Sequence, residues 1–98
     1  MSSPRTYVSE VMDAIAEETG FTDAFRLRLY ALLALAKGAD TTPEDVHGAW
    51  VLWMVERNSR HRLLVPFDQL PSGVQELERS TVEAIHKVAK RLCAAGSE

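Results

Sequence analysis

Apolar residues recur at helical spacing in four stretches of the chain. Val8, Val11, Met12 and Ile15 fall at i, i+3, i+4 and i+7, which sets them on one side of a first helix. Ser3 before Pro4 is a start signal, since proline at the first helical position lacks only an amide that has no partner there. Gly20 is a natural stop. A second helix is predicted from about Asp23 to Lys37, capped by Thr22 and stopped by Gly38. Phe25, Leu29, Leu32, Leu33 and Ala36 share one of its sides, and Leu27, Tyr30 and Leu35 cover much of the rest. A helix apolar nearly all round belongs in the middle of a fold.

Thr42-Pro43-Glu44-Asp45 is a strong start signal for a third helix. Thr42 can accept a hydrogen bond from the Asp45 amide, and the two acids complement the positive helix end. This helix should reach about Arg57, with Val46, Trp50, Trp53 and Arg57 along one side. Asn58 to Pro71 reads as a connector, because Pro66 and Pro71 keep it from extending either neighbour. Its apolar Leu63-Leu64-Val65 should lie on the core, with a helical turn or a short extended piece between Leu63 and Leu70. Ser72 is the expected cap of the last helix, which should reach about Ala94. Val74, Leu77, Thr81, Ile85, Val88 and Leu92 step by three or four and form the clearest amphipathic stripe. Gly96-Ser97-Glu98 is an expected frayed end. The predicted fold is all-α: a single four-helix domain over residues 1–98, with a Pro-bounded connector between helices 3 and 4.

Composition narrows the class. Of the 98 residues, 46% are hydrophobic and 26% charged, an ordinary globular balance. The single cysteine, Cys93, has no internal disulfide partner, so a reducing compartment, the cytoplasm, is expected. The N-terminus lacks the apolar run of a signal peptide. The longest apolar run, Leu29 to Ala36, falls far short of the roughly 20 residues that span a bilayer, so no membrane association is expected. The net charge is −3, which argues against a general nucleic-acid binder. A helix-turn-helix layout around Ala31–Trp53 fails on chemistry. Its second helix begins Glu44-Asp45, which phosphates repel, and Ala49, Val51 and Leu52 offer little to base edges.

Catalytic and metal signatures are missing from the sequence. His47, His61, His86 and Cys93 match no compact zinc spacing. No Gly-x-Ser-x-Gly elbow or glycine-rich phosphate loop occurs. The expectation is a protein without a cofactor that is not an enzyme. Trp50, Trp53 and Arg57 share a helix side, so two flat rings and a guanidinium can stack a planar ligand and pair an anion. The competing reading puts both rings in the core. Arg57 and Arg79 would then cap carbonyls or pair with Asp68 or Glu78.

The segments Val46-His47-Gly48-Ala49-Trp50, Arg57, His61-Arg62-Leu63-Leu64-Val65-Pro66-Phe67-Asp68-Gln69-Leu70-Pro71 and Arg79-Ser80-Thr81-Val82 together resemble the RyR domain, the module named for ryanodine receptors. The resemblance covers about residues 46–90 and leaves residues 1–40 as an added helical hairpin. Either Trp50 or Trp53 matches the family tryptophan. The resemblance implies a binding module for a small, nucleotide-derived ligand. The chain is also similar in style to small proteins of actinobacteria and their bacteriophages. Two functions are therefore expected. The first is a non-enzymatic module binding a small anionic or aromatic ligand through Trp50, Trp53, Arg57, His61, Phe67 and Arg79. The second is an interaction factor that engages a host protein in the host cytoplasm or forms a homodimer, through a flat apolar patch on the first two helices.

Overall fold

Among the described residues the chain forms four α-helices and two single 3-10 turns, and no strand. The structure is a computed structural model describing residues 4–96, with side chains over 8–92. The expected Ser3 cap, the Cys93 thiol and the last two residues of the expected frayed end lie outside the described part. Helix α1 (Pro4–Thr19) ends where Gly20 takes φ +80°, a left-handed conformation that costs glycine little. Thr19 closes the end by donating its hydroxyl to the Ile15 carbonyl at 2.8 Å and accepting from the Phe21 amide at 3.1 Å.

Helix α2 (Ala24–Ala36) is capped by Asp23, whose Oδ1 accepts from the Arg26 amide at 3.0 Å. Thr22 was the expected cap, but it sits one residue too early to reach that amide. Helix α3 (Pro43–Arg57) opens with the predicted capping box. The Thr42 hydroxyl accepts from the Asp45 amide, and the Asp45 carboxylate accepts from the Thr42 amide. Helix α4 (Ser72–Gly96) starts on the Pro71 carbonyl, which accepts from the amides of Val74 and Gln75. Ser72 is thus its first residue and not its cap. At 25 residues, α4 is about 37 Å long at ~1.5 Å per residue, most of the longest dimension of a 45 × 23 × 20 Å body.

The connector contains the 3-10 turn Phe67–Gln69, inside the expected Leu63–Leu70 window. Phe67 and Leu70 are buried and anchor it. The Gln75 side-chain amide donates to the carbonyls of Phe67 and Leu70, which ties the connector to the first turn of α4.

All four helices contribute to one core: Val11 and Ile15 from α1, Leu27 and Tyr30 from α2, Val46 and Ala49 from α3, and Val82, Ile85 and Val88 from α4. The first two helices are therefore part of this core, not a hairpin appended to it. One element of the α4 stripe differs from expectation. Leu77 is 69% exposed, while the next residue, Glu78, is buried at 8%. The observed face runs Val74, Glu78, Thr81, Ile85, Val88, Leu92, in steps of four and three. Both positions fit helical spacing; the partner that Glu78 finds on α3 decides between them. Among the described residues no helix is long and apolar enough to cross a membrane.

Candidate functional site

Two stacks of flat side chains rise from α2 and α3. In the first, the Trp50 ring lies parallel to His47, 5.6 Å between centroids and tilted by 13°. His61 packs edge-on to Trp50 at 5.2 Å, and Phe67 edge-on to His47 at 6.5 Å. The Arg79 guanidinium lies 5.6 Å from the Phe67 ring centroid. Four of the six sequence-predicted site residues thus share one column, with His47 at its centre.

The second stack is built on Arg26. Its guanidinium lies 3.8 Å from the Phe21 ring centroid and 5.0 Å from that of Trp53. Its Nε donates to the Tyr30 hydroxyl at 3.2 Å. Arg57 lies over Trp53 at 4.5 Å. Asp23 organises this stack. Its Oδ1 accepts from the Trp53 indole N–H at 3.0 Å, and its Oδ2 accepts from Arg57 at 3.2 Å. The Arg26 amide holds the Asp23 carboxyl below the usual carboxylate range; burial is the next influence and opposes it, and the indole and Arg57 add weaker downward pulls.

A cavity of about 400 Å³ takes lining from both stacks: Phe21 and Arg26 from one, His47 and Trp50 from the other. Tyr30 and Glu78 also line it. This volume lies within the range of small-molecule sites. The sequence-predicted residues divide around it. Trp50 lines the cavity. Trp53 and Arg57 do not, because the indole N–H and the guanidinium are both engaged by Asp23. His61 reaches the cavity only through Trp50. Phe67 and Arg79 lie beyond His47, with Phe67 lining a shallow groove beside Gly48 and Val51, and Arg79 pairing with Glu76 at 3.4 Å.

Sequence reasoning missed Arg26, Tyr30, His47 and Glu78. Arg26 and Tyr30 stand four apart on α2, so they meet on one side. Among the described residues Arg26 has no carboxylate partner. The available signal for Glu78 was a carboxylate that falls on the apolar step of α4.

His47 and Glu78 form a buried pair. His47 Nδ1 lies 3.0 Å from Glu78 Oε2, and Nε2 lies 2.6 Å from the Val65 carbonyl oxygen. A carbonyl only accepts, so Nε2 carries a hydrogen and Nδ1 shares one further proton with Oε2. Burial pushes the Glu78 carboxyl up from its ordinary value, against the pull of His47 and Arg26. Burial likewise raises the Tyr30 phenol.

Residues 6–90 match one family in a single stretch. The chain belongs to DUF7701, a domain of unknown function. DUF7701 membership corrects the resemblance to the RyR domain, and with it the nucleotide-derived ligand that the resemblance implied. The DUF7701 match includes α1 and α2, in keeping with the shared core. The Leu-Val-Pro-Phe string that carried the resemblance is explained by packing, since Phe67 and Leu70 anchor a proline-bounded connector. No curated protein and no solved structure matches the chain.

Proposed function

We propose that this protein is a non-enzymatic module that binds a small, flat, anionic ligand in the cavity between its two aromatic stacks. The observation that carries this reading is Arg26. A half-buried guanidinium, stacked on aromatic rings and without a carboxylate partner among the described residues, sits in the wall of a cavity. Glu78 acts on Arg26 only at a distance, and no carboxylate makes an ion pair with it among the described residues, so its guanidinium keeps donors that an anionic ligand can engage. Trp50 offers the ring face on which a flat ligand stacks. Binding is favoured over catalysis because both nitrogens of His47 are engaged by hydrogen bonds within the protein itself, leaving neither free to act as a base in the cavity. The lone Cys93 makes a reducing cytoplasm the proposed setting.

A thermal-shift screen with small aromatic carboxylates and phosphates tests this reading. A ligand at a hundred times its dissociation constant should stabilise the fold by about 2.7 kcal/mol. Arg26→Met, which keeps the apolar stem on Phe21, should abolish the shift. Arg57→Met should leave it intact. A screen with no stabilising compound would refute the proposal.

A second reading, a homodimer or a complex with a host protein, is favoured by one observation. Phe25 and Leu32 are exposed on α2 at a spacing of seven, with Leu29 half-buried between them. A strictly monomeric species in light scattering, unchanged by Leu32→Asp, would remove the homodimer.

A further inference from the structure

We infer that the cavity selects ligands that carry an N–H donor on the ring as well as the anionic group, and that Glu78 Oε1 is the atom that reads the donor. This inference rests on the binding function proposed above.

Glu78 is more than nine-tenths buried and lines the cavity. Its Oε1 is sealed from solvent and has no hydrogen-bond partner among the described residues. The hydrogen-bond pattern fixes the character of this atom. Val65 takes the Nε2 hydrogen of His47, so the one remaining proton lies between Nδ1 and Oε2. If it sits on Nδ1, Glu78 is a carboxylate and Oε1 accepts. If it sits on Oε2, Oε1 is the carbonyl oxygen of a neutral acid and still accepts. In both arrangements Oε1 is an acceptor lacking a donor. None of the described residues supplies one: the Tyr30 hydroxyl accepts from Arg26 and makes no bond to Glu78. An orphan acceptor of this kind is unfavourable, and a donor that reaches it recovers the loss. The terminal torsion of a glutamate is soft; turning Oε1 toward the cavity swings Oε2 with it, so the ligand's donor must offset whatever the Oε2 contact with His47 loses. Arg26 and Glu78 then read opposite features of one molecule. The ligand class is a flat aromatic acid bearing an amino or ring N–H group.

Isothermal titration with two matched pairs tests this: 4-aminobenzoate against 4-methylbenzoate, and indole-3-acetate against naphthalene-1-acetate. Within each pair the charge agrees, the size is close, and the donor is the principal difference. The donor-bearing member should bind about tenfold tighter or more. Glu78→Gln should keep that preference, because its amide can donate to Nδ1 and still leave an oxygen acceptor. Glu78→Leu should erase it. Equal affinities within both pairs for the natural protein would overturn the inference while leaving the binding function intact. Loss of the preference in the Gln variant would also overturn it. Absence of binding by all four acids, and by the wider screen, would overturn both. If the Leu variant does not fold, the natural protein and the Gln variant still decide the outcome.

Discussion

Replacing His47 with alanine should destabilise the fold far more than removal of a surface histidine would. His47 is 4% exposed. It donates to the Val65 carbonyl, shares a proton with Glu78, and fills the space between Trp50 and Phe67. Without it, both oxygens of a buried carboxyl lack a partner. An unpaired buried charge costs about 3–5 kcal/mol, but Glu78 escapes part of that by taking up a proton. Lost packing and an unpaired carbonyl add to the cost, giving a total of about 2–4 kcal/mol. A domain with 5–15 kcal/mol in hand would feel this as a fall in Tm on the order of 15 °C. Urea melts read by tryptophan fluorescence measure it directly. The pH dependence gives a second check. A carboxyl whose folded pKa lies above its unfolded value contributes stability that is complete below the unfolded value and fades as pH rises through the folded one. The variant should therefore regain stability toward the acid side, above the range where the surface carboxylates protonate. Adding Glu78→Leu to His47→Ala should restore part of the loss, since no charge is then left buried. A loss under about 0.5 kcal/mol, within the range of ordinary surface changes, would refute this view of the pair. So would a double variant less stable than the single one.

Three further outcomes follow from the packing. Ile85→Ala, at a fully buried position, should cost about 2–5 kcal/mol in urea melts, whereas Leu77→Ala, 69% exposed, should stay within about 0.5 kcal/mol; equal losses would return Leu77 to the core. Asp23→Ala should lower Tm at neutral pH and flatten its fall in acid. The folded pKa of Asp23 is depressed, so its contribution is present above the unfolded carboxyl value and lost as pH falls through the folded one. A variant with the acid limb of the natural protein would show that Asp23 does not hold the second stack. Arg26→Met should abolish binding of aromatic acids while Arg57→Met preserves it, as read by thermal shift; the reverse pattern would return the site to Arg57.

Most of the fold was legible because local signals agreed with one another. Thr42-Pro43-Glu44-Asp45 gave the start of α3, Pro66 and Pro71 delimited the connector, and the α4 stripe was right at five of its six positions. The miss in the α4 stripe has a clear cause. Leu77 and Glu78 are neighbours that both satisfy helical spacing, and hydrophobicity favours Leu77 until a buried partner is known. That partner, His47, lies 31 residues away, and periodicity within one helix carries no information about a pairing between two. The sequence-predicted site residues divide around the cavity for the same reason. Trp50, Trp53 and Arg57 do share a side of α3, but Asp23 at the start of α2 engages Trp53 and Arg57, and Arg26 takes the place at the cavity wall.

The most direct test of the cavity as a binding site is an amide and indole NMR titration with 4-aminobenzoate. The chain has two tryptophans, so the two indole N–H signals separate the competing sites. Perturbation largest at the Trp50 indole and at the amides around Arg26, His47 and Glu78, with a smaller shift of the Trp53 indole, whose ring Arg26 faces, is the predicted result. Perturbation centred on Trp53 and Arg57, or none at any concentration up to saturation of the ligand, would contradict it.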